Sequence, residues 1–527
     1  MTIADYIANQ LFNVGVRHVF GIPGAPSIPY MEAFKNAGIE FILTSNEASA
    51  GIMAAVSARL TGIPGVCHAT FGPGAANLST GAGSALLDRS PVIFFTSEMD
   101  DGMIGRTAQM NINHQKLYEP LTKATFRLNS RNVTEVISSA LKLCREEYPG
   151  PVHIGIPSDI ADLEITDSPE IVSDIKPPVQ NNDSQKIISV LKSSRRPLLA
   201  VGLTARRFGI RSELLSFLDN YKVPVVITPM AKGIIPEGHP SYVGVLFHAL
   251  SNYLKDIYDK TDLVIGLGYD PVEYNYESWM PNVPLINFDT KETDLPESGD
   301  VTRFIGQPED WFRMLQNLNA GSLIFEKTVI KGIRDEMLSV FNGFSGHFGP
   351  VAALKILREE LPDNLILTAD VGSHLHLAGQ YWDKGDFIIT NGWSGMGFGI
   401  PAAIAAKINR PESTVACITG DGGFLMTAGE IITARRLNLP IIIVVFSDGE
   451  LNLIRLKQSW KELPPYGTIL YNDDLFGADK FLGVKVLKAD SNESLRKSII
   501  TALSLNEPVI INTVIDPEDY KWLIVRQ

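Results

Sequence analysis

VACITGDGGFLMTAGEIITARRLNLPIIIVVFSDGEL, residues 415–451, is the stretch from which the fold can be read. Residues 415–419 have the continuous apolar character of a strand covered on both faces. Gly420-Asp421-Gly422-Gly423 reads as a tight turn, residues 427–437 have helical character, and Pro440 marks the approach to a second buried strand, 441–446. Immediately beyond it stand Ser447-Asp448-Gly449-Glu450. Two parallel strands joined by one crossover helix therefore deliver two carboxylates, Asp421 and Asp448, to the edge where open α/β sheets bind ligands.

That pairing has a chemistry. Mg²⁺ takes one or two carboxylates together with phosphate oxygens and water. Glycines on both sides of Asp421 let the backbone approach a diphosphate, and the N-terminus of the helix that follows favours its charge. GDGG alone is equally a plain strand-to-helix turn with an aspartate cap. The second acid at the end of the next strand is what points to a metal.

Outward from this unit, short Val- and Ile-rich runs alternate with helical segments along the whole chain, which predicts parallel sheets covered by helices on both faces. At 527 residues the chain is too long for one core. Polar, Pro-containing 168–185 and the less patterned 317–348 read as connections. They divide the chain into 1–167, 186–317 and 349–527, three doubly wound α/β domains. The first and third share a faint repeat: PVHIGIPSD from Pro151 and PVIINTVIDPED from Pro508 each follow a helical segment and close their block. Two similar domains of this kind would face each other across one ligand.

Composition narrows the classes further. A net charge of −13 argues against nucleic acid, whose binders carry a basic face. Cys67, Cys144 and Cys417 are far apart in apolar runs, as reduced core cysteines of a cytoplasmic protein would be. No apolar run approaches the ~18 residues needed to cross a bilayer, and MTIADYIANQLF reads as an amphipathic helix, so a membrane role is not expected. No strand is followed by GxGxxG, which disfavours a nucleotide-dependent dehydrogenase.

GDG with a second metal-ligand position one crossover later resembles the signature of thiamine-diphosphate enzymes. The resemblance extends over essentially the whole chain. GIPGAPSIPYMEAF (21–34), NEASAGIMAAVSARLTGIPGV (46–66), FGPGAANLSTG (71–81) and PLTKATF (120–126) are similar to the pyrimidine-binding domain of the acetolactate synthase and 2-oxo-acid decarboxylase superfamily. DVGSHLHLAGQYW (370–382) and NGWSGMGFGIPAAIAAK (391–407) are similar to its diphosphate-binding domain, and GLGYDPVEYNYESW (266–279) resembles the middle domain of FAD-independent catabolic acetolactate synthases.

The resemblance implies thiamine diphosphate and Mg²⁺ as cofactors, with FAD disfavoured, although loops at Gly202 and Gly268 leave room for an unused nucleotide site. Asp421 and Asp448 would ligate Mg²⁺ by side chain and Glu450 by its carbonyl, with Leu451 beside it. Most of the superfamily carries Asn at the second position; Asp keeps an oxygen ligand. Val371, Gly372, Ser373 and His374, with Gly420, Gly422 and Gly423, match the diphosphate loops. Met396 matches the apolar residue that props the cofactor into its bent form. Glu47 matches the glutamate that hydrogen-bonds the aminopyrimidine ring and so relays a proton to the thiazolium carbon, general acid–base work done through a cofactor. As a lone residue it would be a helix-start carboxylate. In this superfamily that glutamate faces the diphosphate domain of another subunit, so a homodimer or homotetramer is implied.

Around the substrate the match thins. Gln109 is the nearest counterpart of a glutamine the synthases use, but counting back from Pro120 places Met110 there. Ser394 replaces another glutamine, Phe71 replaces a small serine, and Thr70 stands where decarboxylases have an active-site histidine. Residues 451–467 do not reproduce the aromatic lid of the FAD-containing synthases; Arg455 or Lys457 there could meet a carboxylate or lie on a solvated helix face. Three readings stay open: a carboligase making acetolactate or a relative from pyruvate or another 2-oxo acid, a simple 2-oxo-acid decarboxylase releasing an aldehyde, and a non-catalytic relic of the fold.

Overall fold

A computed structural model describes residues 1–165, 183–246, 250–273, 279–292, 294–295, 300–322, 327–342 and 347–523. Most of the expected connection 168–185, part of 317–348 and the middle of GLGYDPVEYNYESW lie outside them.

The alternation of apolar runs and helices resolves into three sheets. The first contains β1 (His18–Ile22), β2 (Glu40–Leu43), β3 (Gly65–Ala69), β4 (Val92–Glu98), β5 (Ala124–Arg127) and β6 (Pro151–Pro157), in the order β2-β1-β3-β4-β6-β5. The middle sheet contains β7 (Pro197–Val201), β8 (Val225–Ile227), β9 (Tyr242–Val245), β10 (Leu263–Leu267), β11 (Leu285–Asp289) and β12 (Val301–Ile305), in the order β12-β11-β10-β7-β8-β9. The third contains β13 (Ile366–Ala369), β14 (Asp386–Ile388), β15 (Val415–Gly420), β16 (Ile441–Ser447), β17 (Lys480–Phe481), β18 (Val484–Ala489) and β19 (Val509–Val514), in the order β14-β13-β15-β16-β19-β18-β17. The strand pairs are parallel except β17 with β18. Three doubly wound α/β sheets are thus what the alternation foretold.

The faint repeat is architectural. Both outer sheets begin second-first-third-fourth and then continue with their own last strand, so PVHIGIP (β6) and VIINTV (β19) hold the same place beside the fourth; the third sheet adds one short edge strand, β17. The middle sheet has a different order, with its reversal between β7 and β10.

The two outer sheets share a core. Ala50, Met53 and Ala54 of helix Glu47–Thr61 and Ala402, Ala405 and Ala406 of helix Gly399–Asn409 belong to one buried cluster, which small side chains permit by letting helix backbones come close. Polar contacts pin the pair, with Asn409 Nδ2 2.8 Å from Ser57 Oγ and Arg59 donating to the carbonyl of Ile389 at 2.6 Å. Within the first domain, helices Glu47–Thr61 and Pro73–Leu87 meet at Gly51 and Gly81, where a β-carbon on Gly51 would lie 2.7 Å from the Gly81 Cα. That approach brings the start of one helix onto the start of the other. Cys67, Cys144 and Cys417 are buried free thiols, as core cysteines should be. Among the described residues no helix is long and apolar enough to cross a membrane.

Candidate functional site

The register Gly420↔Phe446 between β15 and β16 places Asp421 and Asp448 at neighbouring strand ends. Helix formation starts earlier than the glycines suggested. Asp421 opens a helix, Asp421–Thr427, and a second short one, Glu430–Arg436, follows a break at 428–429. The local cause is the Asp421 side chain, whose Oδ1 accepts the Gly422 N–H at 2.8 Å and so satisfies a helix-start donor in the turn where glycine would otherwise favour coil.

Asp421 Oδ2 accepts three more hydrogen bonds, from Tyr471 Oη at 2.8 Å, Gly449 N at 2.8 Å and Asp448 N at 3.2 Å. Asp448 Oδ1 accepts from Glu450 N at 3.2 Å. Burial holds both carboxyls above the ordinary carboxylate range. Asp448 is pushed up to about 7, first by burial and then by the charge of Asp421, while the hydrogen bonds to Asp421 offset part of its own desolvation. Two neighbouring carboxylates, with the charge of one raising the pKa of the other, are a donor set suited to a cation.

The surrounding loops carry polar atoms that have no protein partner. Ser373 Oγ, His374 Nε2, Thr468 Oγ1 and both amide atoms of Asn452 are buried and unbonded, an arrangement that costs free energy unless a ligand completes it. Burial lowers the His374 pKa to about 4, so the ring is neutral; it stands edge-on to Phe446, with Gly420 and Gly372 beside it. Asp370, fully buried, ties the loops together, accepting from Val371 N at 2.7 Å, Gly397 N at 2.9 Å and Gly399 N at 3.1 Å. Met396 and Leu451 converge on Gly422, where a β-carbon would lie 3.0 Å from the Met396 methyl and 2.9 Å from Leu451 Cδ2. Only glycine leaves that space. Ser394 adopts a left-handed conformation, φ 52°, and donates to the carbonyl of Asn391 at 2.6 Å. Every residue expected at this edge from 371 to 451 is therefore on the loops that Asp370 and the two strand ends bring together. Oxygen donors, neutral N–H and O–H groups and an apolar wall fit a metal-bound diphosphate with a flat organic tail.

Glu47 is the first residue of its helix, capped by Asn46, and is 8% exposed. Its Oε2 accepts from Asn77 Nδ2 at 3.1 Å. The preceding loop docks on the third domain through Glu430, whose Oε1 accepts Ser45 N and Asn46 N, each at 3.0 Å. Glu430 opens the second short helix, beyond the break that ends the Asp421 helix. No hydrogen bond or ion pair among the described residues joins Glu47 to Asp421, Asp448 or their loops. Gln109 is exposed, and its neighbour Met110 packs on Gly72. Arg455 pairs with Glu450 at 3.1 Å and Lys457 is exposed.

Sequence reasoning missed Asn77, Glu430, Asn452 and Tyr471. Asn452 stands two residues beyond Glu450 and was within reach of a closer reading; the others are distant in sequence and have no motif of their own.

A second cluster, Glu98, His114 and His153, has ligating atoms within 4.8 Å of one another. Its nitrogens are already committed. Gly72 N–H can only donate, so His114 Nε2 accepts it (3.3 Å); His114 Nδ1–H then donates to Thr96 Oγ1 (2.8 Å), Thr96 to His153 Nε2 (2.8 Å), and His153 Nδ1–H to Thr125 Oγ1 (2.6 Å). Burial lowers both pKa values, that of His114 to about 4. This is a neutral relay that anchors the loop of Phe71 and Gly72. Replacing His114 with Phe should cost about 1–3 kcal/mol by orphaning Gly72 N–H and Thr96, read as a lower urea midpoint for the first domain.

Comparison with known proteins agrees with this geometry. Three family descriptions match in order: thiamine pyrophosphate enzyme, N-terminal TPP binding domain (residues 1–117), central domain (184–315) and C-terminal TPP binding domain (370–513). The chain is similar to a probable acetolactate synthase large subunit of Methanococcus aeolicus, 28% identical over 98% of this chain and 92% of that one. It is also similar to acetolactate synthase isozyme 2 large subunit of Escherichia coli (28%, covering 100% and 97%) and to acetolactate synthase of Bacillus subtilis (26%, covering 98% and 93%).

Proposed function

The chain belongs to the thiamine pyrophosphate enzyme family and is a thiamine-diphosphate-dependent enzyme of the acetolactate synthase type; from that premise we propose that it is a Mg²⁺-dependent carboligase. It would decarboxylate pyruvate or another 2-oxo acid and join the remaining fragment to a second carbonyl compound. The observation that carries this reading is the pair Asp421 and Asp448 at adjacent strand ends, among buried polar atoms without partners.

The two side chains, with the Glu450 carbonyl, would hold Mg²⁺. Ser373, His374 and the backbone of 420–423 would hold the diphosphate, and Met396 and Leu451 would shape the space for the rings. Bound thiamine diphosphate supplies the electron sink for decarboxylation. The protein's part is proton management and exclusion of water. Glu47, buried and hydrogen-bonded to Asn77, would exchange a proton with a basic ring nitrogen of the cofactor.

Within one chain no hydrogen bond or ion pair among the described residues links Glu47 to the carboxylate pair. We read a second copy as completing each site, in a homodimer or a dimer of dimers. Diluting the enzyme through its dissociation range should therefore remove activity in proportion to dimer lost, measured by sedimentation with parallel assays. A fully active monomer would contradict this.

Two features favour ligation over release of an aldehyde. The relatives are named acetolactate synthases. The histidines flanking the loop of Thr70 and Phe71 are also engaged elsewhere, His68 with Ser27 at 2.6 Å and His114 in its relay, and burial lowers the pKa of each to about 4. FAD is left out of the reading because Glu273 sits at the switch-point crevice of the middle sheet, where its carboxylate accepts from Leu203 N, Met230 N and Thr228 Oγ1. Incubation with thiamine diphosphate, Mg²⁺ and a panel of 2-oxo acids tests the reading. Acetolactate or a homologue is expected; free aldehyde would favour the decarboxylase, and no cofactor binding in calorimetry would favour a relic.

A further inference from the structure

The segment that follows helix Asn452–Ser459 returns to the metal loop. Leu451 N donates to Thr468 O and Leu470 N to Gly449 O, both at 2.8 Å, with a bridge between Glu450 and Ile469. This short antiparallel pairing sets Tyr471 beside Asp421, its hydroxyl 2.8 Å from Oδ2. The backbone of 449–451 fixes the phenol there, so the contact does not depend on a flexible surface side chain.

A carboxylate oxygen has about two lone-pair directions. Asp421 Oδ2 already receives three donors, Tyr471 Oη, Gly449 N and Asp448 N, whereas Oδ1 receives one, Gly422 N. The crowded oxygen is held by the protein, and the other keeps a lone pair to give. We propose that Tyr471 is a positioning residue of the cation site, which orients Asp421 through Oδ2 so that Oδ1 meets the metal. This rests on the reading of Asp421 and Asp448 as Mg²⁺ ligands.

The physical reason is pre-organisation. A ligand carboxylate free to rotate loses orientation when the cation is absent and must recover it on binding. Gly449 N and Asp448 N belong to the loop that carries the second ligand; Tyr471 adds a donor from a second segment that pairs with that loop.

The test is Tyr471→Phe in the full-length protein with thiamine diphosphate present. Mg²⁺ binding is followed by calorimetry, and Mn²⁺ binding by the loss of the free-ion electron paramagnetic resonance signal. Loss of an outer partner of a metal ligand costs about 10–100-fold in affinity. A dissociation constant raised about tenfold for both ions is expected, with an unchanged melting curve for the metal-free protein. The Mg²⁺ concentration that half-activates should rise equally, while the rate at saturating Mg²⁺ stays within about twofold of wild type, a split that a merely structural role would not give. Equal affinities in the variant and in wild type would overturn the role of Tyr471 and leave the metal site standing. If wild type bound neither ion, the reading of the site would fall, and this proposal with it. Should the variant melt early, Tyr471→His, which restores a donor, must recover affinity or the role is wrong.

Discussion

Glu47→Gln should lower the turnover of 2-oxo acids by about 10²–10⁴-fold, the span over which a positioned acid–base group acts. The substitution is nearly isosteric. Its amide oxygen can still accept from Asn77 Nδ2, and its helix keeps the Asn46 cap, whose side chain accepts Ala48 N at 2.7 Å. What it removes is the charge and the exchangeable proton. The loss of a carboxylate at the first helical position costs about 0.3–1 kcal/mol of stability, too little to unfold the domain. Mg²⁺ and thiamine diphosphate should bind with almost unchanged affinity, because the residues assigned to the metal and the diphosphate belong to the third domain. Steady-state kinetics with cofactor calorimetry on the same preparation separates the two effects. Activity within about tenfold of wild type would remove Glu47 from the chemistry and leave it as the helix-start carboxylate its position also suits.

The next largest effect is expected from an asymmetry between the two aspartates. Asp421→Asn should raise the Mg²⁺ dissociation constant by more than about 100-fold, beyond the cost of losing an outer partner. Both Asp421 oxygens face donors, three at Oδ2 and one at Oδ1. Whichever way an amide is turned, its NH₂ must meet an N–H or O–H in a buried site. Asp448 is different: among the described residues its side chain accepts from Glu450 N at Oδ1, and an asparagine can turn its oxygen there. Asp448→Asn should therefore cost less than about tenfold in affinity.

It should also stabilise the metal-free protein. The Asp448 carboxyl is raised in the fold to about 7, above its value in an unfolded chain. Its contribution is thus complete at low pH and is lost as the pH rises through about 7. The variant should melt above wild type at pH 8 without metal, and the gap should shrink as the pH is lowered below about 7. Thermal melts with a chelator, repeated with Mg²⁺, would show it. A variant less stable than wild type at pH 8 would mean that the two charges do not oppose one another.

The candidate site was legible to unequal depths. The strand ends at Asp421 and Asp448 followed from apolar runs of the right length with glycine beside each acid, because strand burial and crossover geometry are local to one βαβ unit. The helix start at Asp421 was misplaced because Gly422 and Gly423 were read as a turn, whereas a side-chain hydrogen bond to Gly422 N draws them into the helix. Glu47 carried a role only through resemblance; its burial and its bond to Asn77 depend on two helices meeting at Gly51 and Gly81. The same distance in sequence hid Asp370's hold on Gly397 and Gly399, and the neutral state of His114, which depends on partners as remote as Gly72.

The amino-acid sequence by itself determined three doubly wound α/β sheets, the edge of the third at which two carboxylates emerge, and the class of ligand those carboxylates suit. These follow from periodicity and from residues within one crossover of each other. Only the tertiary structure decided that Glu47 is buried against Asn77, that Ser373 Oγ, His374 Nε2 and the Asn452 amide lie buried without partners, and that Tyr471 crowds one oxygen of Asp421 and leaves the other open. Each of these depends on segments far apart in the chain meeting in space, and the free energy that brings them together is the burial of apolar and small side chains in a shared core. That burial is indifferent to sequence distance, so no local pattern records it.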